Sequence, residues 1–276
     1  PGLDHGGAET ERRKKPGNEK SGVVVVAPLS GLMPIAGIHS VRAALRHGET
    51  SVDEVWLDRR RRDRRLGELA EMARGAGVRL RQVEAEEIER AAPGLNHQGA
   101  LAWASAPASR GEPDLDAILD GLSGPAFLLV LDEVQDPHNL GACLRTADAA
   151  GIQAVIAPRD NAVGLTPAVC KVASGAAETM PYVQVTNLAR TLDALKGRGI
   201  WLIGLAGEAE ADLYGIDLTG PIALVLGGEG RGLRRLTRER CDYLARLPML
   251  GIVESLNVSV ATGICLYEAL RQRGGR

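Results

Sequence analysis

Aromatic side chains are scarce in this chain. One Phe, three Trp and four Tyr among 276 residues leave a core that must be built from Leu, Val, Ile and Ala. Cysteine is sparse as well. Cys143, Cys170, Cys241 and Cys265 stand far apart with no Cys-x-x-Cys pair, which disfavours thiolate metal sites and disulfide frameworks and points to buried thiols in a reducing cytoplasm. No His-Glu-x-x-His occurs and the five His have no metal-ligand spacing, so no metal is expected. The lack of a Gly-x-x-x-x-Gly-Lys-[Ser/Thr] segment excludes a phosphate-cradling NTPase loop. No apolar run approaches the roughly 20 residues that cross a bilayer, and no membrane partner is expected. Val23–Leu29 is too short for a cleaved secretory segment. The formal charge of −2 excludes a globally basic nucleic-acid binder, so any such binding must come from local patches.

What is present is a globular composition, 45% hydrophobic and 25% charged, long enough for one large or two ordinary domains. Residues 1–33 read as a disordered or poorly ordered extension, polar and charged through residue 22 with Arg12-Arg-Lys-Lys15, although Val23–Leu29 has the makings of a strand. Residues 34–105 form a small α/β module. Helices are expected at Ser40–His47, Leu66–Ala73 and Glu84–Ala91, and strands at Glu54–Leu57, Val78–Val83 and Ala100–Trp103. Residues 106–124, rich in Pro, Gly and Ser, read as a linker with a short amphipathic piece at Leu115–Leu122. From 125 to 276, strands at Phe127–Leu131, Ala154–Ala157, Trp201–Leu205 and Ile222–Leu226 alternate with helices at Leu140–Ala150, Ala168–Gly175, Leu188–Leu195 and Asn257–Arg271. Continuous apolar strands of this kind imply an α/β fold with a mostly parallel sheet covered on both faces.

Three segments put glycine or polar residues at the end of an apolar run, where a helix should begin: Asn139-Leu-Gly-Ala-Cys-Leu-Arg145, Leu226-Gly-Gly-Glu-Gly-Arg-Gly232, and Leu247-Pro-Met-Leu with Ser255-Leu-Asn-Val-Ser-Val-Ala261. In an open α/β sheet these junctions lie at the carboxyl ends of strands, where ligands bind. Gly228-x-Gly230-x-Gly232 has the wrong spacing for a dinucleotide fingerprint, and a glycine turn alone is a weak signal, as consistent with close backbone packing as with a site. Glu229 within it is more informative, because a carboxylate among glycines has few packing uses. An Arg on a helix, such as Arg145, is ordinarily a solvated residue, and Ser255 and Asn257 are both competent helix N-caps.

Taken in this order, the three segments resemble the signature motifs of the SpoU/TrmH class of RNA ribose 2′-O-methyltransferases, over roughly Pro34 to Arg273. The resemblance implies a catalytic domain of the SPOUT type with a C-terminal trefoil knot, preceded by a small L30e/L7Ae-like RNA-binding domain. It implies S-adenosylmethionine as cofactor, a guanosine ribose of 23S rRNA in the P-site loop as target, and a homodimer formed through the catalytic domain. Asn139, Arg145, Glu229 and Asn257 become the catalytic set, and Leu205, Ala206, Gly227, Leu247, Met249 and Leu256 the cofactor contacts, several through main-chain atoms. Leu205 departs from the small hydroxyl residue common at its position. Members of this class are often described with the matching Arg as base. Neutralising a guanidinium near pH 7 costs roughly 7–8 kcal/mol, so Arg145 is better read as clamping phosphate and stabilising the developing oxyanion. The base is then left among phosphate, water and Glu229.

Arg59-Arg-Arg-Arg-Asp-Arg-Arg65 places Arg59, Arg60, Arg61, Arg62, Arg64 and Arg65 between a strand and a helix. Alone it is a solvated loop; in a domain that resembles an RNA reader it becomes a phosphate-binding patch, joined by His97 and Gln98 of a segment recurring in that domain. His97-Gln98-Gly99 also fits a tight turn. The rival functions are methylation of tRNA or of another ribosomal nucleotide, a non-catalytic ribosome-assembly factor, and, on the glycine loop alone, a nicotinamide-dependent oxidoreductase.

Overall fold

The computed structural model describes residues 32–47, 52–105 and 108–274. The extension through residue 31, with the strand read at Val23–Leu29, lies outside the described residues.

The first unit comprises β1 (Leu32–Ala36), α1 (Ile38–His47), β2 (Val52–Asp58), α2 (Arg64–Gly75), β3 (Arg79–Val83), α3 (Ala85–Ala91) and β4 (Ala100–Ser105). Its strands lie in the order β1-β4-β2-β3, with β4 antiparallel to β1 and β2, and β2 parallel to β3. β1 is not legible in the sequence because Pro34 removes a ladder donor. The structure places it at the sheet edge, where a missing donor is tolerated. Asp63 caps α2, accepting from the Leu66 amide at 3.2 Å, and that fixes where the arginine-rich loop ends.

After β4 come α4 (Glu112–Asp120), β5 (Phe127–Asp132), α5 (Pro137–Ala150), β6 (Ala154–Pro158), α6 (Pro167–Ala173), α7 (Ala176–Thr179), β7 (Tyr182–Val185), α8 (Leu188–Gly197), β8 (Trp201–Leu205), β9 (Ala211–Asp212), β10 (Ile222–Gly227), α9 (Arg235–Arg240), β11 (Tyr243–Arg246) and α10 (Val258–Gln272). The seven strands form one sheet in the order β7-β6-β5-β10-β8-β11-β9, and every pairing in it is parallel. Side chains alternate across β5. Leu129 and Leu131 pack with Leu140, Leu144 and Leu266 of α5 and α10 on one face. Leu128 and Val130 pack with Leu188 and Leu192 of α8 on the other. Both faces are therefore covered, which is why these strands read as unbroken apolar runs.

The segment read as a linker contains α4. Pro113 sits in its first turn, a position where a missing amide costs nothing, and Leu115 is buried in the same cluster as α8. The Arg110 amide donates to Tyr182 at 2.9 Å and its carbonyl accepts from Gln184 at 2.8 Å, so this stretch is docked along β7.

Candidate active site

β5, β10, β8 and β11 are neighbours in the sheet, and the three motif segments all leave from their carboxyl ends. Asp136 caps α5 by accepting from the Asn139 amide at 2.9 Å, which fixes Asn139 in the first turn. Asn257 caps α10, its Oδ1 accepting from the Ser259 amide at 2.9 Å and the Ser259 hydroxyl at 2.7 Å. Of the two N-cap candidates, then, Asn257 takes the role and Ser255 does not. The Asn257 Nδ2 donates to Asn139 Oδ1 at 2.9 Å, and Asn139 Nδ2 donates in a short hydrogen bond to Glu229. Residues from three motifs thus form one chain of amides ending on an exposed carboxylate. The chain orients Glu229 while leaving its second oxygen for a ligand.

The loop that carries Glu229 is shaped by its glycines. Gly230 and Gly232 have φ of 82° and 64°, conformations that a Cβ disfavours. A Cβ on Gly227 would overlap the Gly232 carbonyl, and one on Gly228 would overlap the Glu133 carbonyl. Behind the loop lies Asp132, fully buried at the end of β5. Its carboxylate accepts from the Arg234 amide at 3.0 Å and from Arg234 Nε at 2.7 Å, and its carbonyl accepts from the Gly228 amide at 2.7 Å. Arg234 also pairs with Glu133 at 3.2 Å. Asp132 and Arg234 thus clamp both ends of the glycine loop, a role that motif reasoning missed. The available signal was an acidic residue closing the otherwise apolar run Phe127–Leu131.

Next to the amide chain opens a cavity of about 480 Å³ lined by Leu205, Ala206, Gly227, Leu247, Met249 and Leu256, together with Glu229, Ser255 and Asn257. All six expected cofactor contacts, Leu205 included, meet there. The nearby thiol is inert: burial, with the Glu229 charge as a lesser cause, pushes Cys143 up to about 11. Burial likewise pushes Cys170, Cys241 and Cys265 up to about 12, so none offers a thiolate near neutrality. Among the described residues no cluster of His, Cys, Asp or Glu could hold a metal ion, and no helix is long and apolar enough to cross a membrane.

Arg145 does not join this group. It follows Asn139 by six residues on α5, about 9 Å along the axis and a third of a turn around it. Its Nη1 lies 3.4 Å from the Ser174 hydroxyl, and it lines a second cavity that shares no residue with the first. The arginine-rich loop is partly neutralised. Arg59 and Arg60 pair with Glu84, Arg61 with Asp63, and Arg64 with Glu68, whereas Arg62 and Arg65 are exposed without a hydrogen bond or ion pair among the described residues. His97 makes a turn, its Nδ1 accepting from the Gly99 amide at 3.1 Å. Gln98 follows with a φ of 49°, and its carbonyl accepts from Arg61 at 2.5 Å.

Fold and site together define an α/β protein whose ligand cavity is built by loops at the carboxyl ends of adjacent parallel strands. Residues 126–267 match the model of the SpoU rRNA Methylase family, and residues 34–109 match the model for RNA 2′-O ribose methyltransferase substrate binding. The chain belongs to the SpoU rRNA methylase family. It is 57% identical over 239 residues to the 23S rRNA (guanosine-2′-O-)-methyltransferase RlmB of Ralstonia nicotianae, covering 87% of this chain and 95% of that one. It is 56% identical over 248 residues to the RlmB of Pseudomonas syringae pv. tomato, covering 90% and 99%. Among solved structures it resembles the SpoU methyltransferase AviRb from Streptomyces viridochromogenes in complex with AdoMet, with a TM-score of 0.73, 26% identity, and coverage of 89% and 92%.

Proposed function

We propose that this protein transfers the methyl group of S-adenosylmethionine to the ribose 2′-hydroxyl of a guanosine in 23S rRNA, within the P-site loop of the peptidyl transferase centre. The observation that carries this is the meeting of the amide chain Asn257–Asn139–Glu229 with the cavity at the ends of β5, β10, β8 and β11. The cavity has the size of a small-molecule site. Leu205 and Met249 suit an adenine ring; of the carboxylates on the lining, Glu208 is paired with Arg238, which leaves Glu229 and Glu254 to face a cationic ligand. The cofactor supplies an electrophilic methyl activated by its sulfonium charge. The protein must align the ribose hydroxyl, accept its proton and stabilise the oxygen as charge develops. Glu229, held by Asn139, is placed to accept that proton directly or through water. Arg145 is assigned the adjoining phosphate.

The separation of Arg145 from that carboxylate supports a homodimer in which each Arg145 serves the partner's cavity. The contacting surface is the apolar segment after β11 and the face of α10: Leu250 and Ile252 are essentially fully exposed, and Val260 and Tyr267 about half. Mixing Arg145→Ala with Asn257→Ala tests this, since the mixed dimer regains one intact site and total activity returns to about a quarter of wild type. No recovery means that Arg145 acts within its own chain. We further assign residues 34–105 to recruiting RNA as an L30e-like domain, 106–124 to the link, and 125–276 to catalysis. A trefoil knot is the reading of the C-terminal end that the order β10-β8-β11 supports. The free cysteines suit a cytoplasmic protein. Incubation with labelled S-adenosylmethionine and 23S rRNA fragments, followed by mapping of ribose methylation, tests the activity. Label on tRNA alone, or none despite donor binding, overturns it.

A further inference from the structure

The second cavity, about 730 Å³, lies between the two sheets. α1 and the Gln98 turn form one side, and α5, α6 and α7 the other. The walls are pinned: Lys171 Nζ donates to the Gly94 carbonyl at 3.1 Å, and Gly175, at φ 99°, lets α7 approach Ala43 so closely that a Cβ would sit 3.1 Å from it. Cations edge the cleft, Arg145 from α5 and Lys171 from α6, with the hydroxyl of Ser174 beside Arg145. Glu178 lines the interior and is only 2% exposed, and its Oε2 has no hydrogen-bond partner. A buried carboxylate oxygen left unpartnered is costly. Nothing in methyl transfer at the first cavity uses it.

We infer that this cleft receives the target base, with Glu178 accepting hydrogen bonds from the N1–H and N2–H₂ edge of guanine while Arg145 holds the neighbouring phosphate. The inference rests on the methyltransferase reading above and adds a basis for its choice of base. Guanine presents two adjacent donors on its Watson–Crick edge, which match the two acceptor oxygens of a carboxylate. Adenine presents an acceptor at N1, and uracil and cytosine cannot offer the same pair of donors. Cations at the edge and an acid inside match the anionic backbone and donor-rich base of one flipped nucleotide. Burial lifts the Glu178 carboxyl to about 7, so the ionised form is within reach near neutrality and a donor pair would favour it. Gln98 joins the cleft to the arginine-rich loop through its bond from Arg61, which gives the RNA a continuous path from patch to pocket.

The test uses the full chain, S-adenosylmethionine, and a 23S rRNA fragment carrying either guanosine or inosine at the mapped position. Inosine keeps the ribose, O6 and N1–H but lacks the 2-amino group. Wild type should prefer guanosine by about tenfold to a hundredfold in kcat/KM. In Glu178→Gln the guanosine rate should fall and the preference collapse to within about threefold, with donor affinity by calorimetry unchanged. An unchanged preference in Glu178→Gln overturns the inference. So does a wild-type enzyme that methylates both RNAs equally, a result needing no variant. Failure to methylate the guanosine RNA at all would instead strike the methyltransferase reading, and this inference with it.

Discussion

Glu178 makes a quantitative prediction about stability that is separate from turnover. Its folded carboxyl lies near 7 against an ordinary value of 4.5, with desolvation as the first cause. The charged groups around it are Arg145 and Asp148 on α5 and Lys171 on α6, with His39 on α1 and the Cys170 thiol also facing the cleft; none of them offsets the burial. Between about 4.5 and about 7 the folded chain holds a proton at this position that the unfolded chain has released. Stability from this group is therefore full below that window and is lost as pH rises through it. Each tenfold in proton affinity is worth about 1.4 kcal/mol, so the loss is roughly 3 kcal/mol once the pH exceeds 7. Glu178→Gln imitates the neutral acid at every pH. Urea unfolding near pH 5 should find the variant within about 1 kcal/mol of wild type, and near pH 8 more stable by roughly 3 kcal/mol. A new amide without partners would shift both measurements equally, so the difference between the two pH values is the diagnostic quantity. The same offset at both would refute the claim that Glu178 is a buried acid with no cationic partner. A variant that is more stable at alkaline pH and less selective for guanosine would mark a residue kept for function at a cost to the fold.

Three further outcomes follow from the site. Asn257→Ala removes a helix cap worth about 1 kcal/mol and the donor that fixes Asn139, so methyl transfer should drop at least about a hundredfold with the circular dichroism spectrum retained; near-normal turnover would remove Asn257 from the site. Gly227→Ala forces a Cβ into the Gly232 carbonyl and must open the glycine loop, so calorimetry should show S-adenosylmethionine binding weakened by about tenfold or more, and full affinity would show that the loop does not shape the cavity. Arg62→Glu with Arg65→Glu removes the two arginines of the patch that make no direct ion pair, and the slope of log affinity against log salt should flatten by about one to two in filter binding to the 23S fragment, an unchanged slope placing the RNA elsewhere.

Legibility in the sequence follows burial. β5, β6, β8 and β10 run through the covered middle of the sheet and announce themselves as apolar runs. β11 (Tyr-Leu-Ala-Arg) and β7 (Tyr-Val-Gln-Val) lie towards its margins and mix polar with apolar residues, so β7 is indistinguishable from a loop and β11 is marked only by the strand end at Leu247-Pro-Met249. α4 shows in the sequence only as the short amphipathic piece Leu115–Leu122, because the Gly and Pro around it read as a linker, although Pro113 marks a helix start as well. The motif loops were readable because glycine and carboxylate together at a strand end have few structural uses. Their closure onto each other was not: Asn139 meets Glu229 across 90 residues and Asn257 across 118, and no local pattern encodes such a meeting. Arg145 shows the same limit from the other direction. Six residues from Asn139 is adjacent in sequence, yet helical phase turns the two side chains to different faces, Asn139 to Glu229 and Asn257 and Arg145 to the second cavity.

The two glutamates show why chemistry that is legible in sequence differs from chemistry that emerges only on folding. Glu229 stands among four glycines, so its carboxylate has nothing local to pair with and draws notice at once. Glu178 follows Ser174-Gly-Ala-Ala, and a single acid in a short alanine-rich turn reads as a solvated helix face. What makes it unusual is α1, arriving from more than a hundred residues earlier and admitted at Gly175 because that position has no Cβ. The glycine is visible in the sequence and the burial it permits is not. Replacing Gly175 by Ala, which has to push α1 away, should therefore lower the Glu178 pKa towards 4.5 by readmitting water. The alkaline stability loss should shrink with it, although Glu178 itself is untouched.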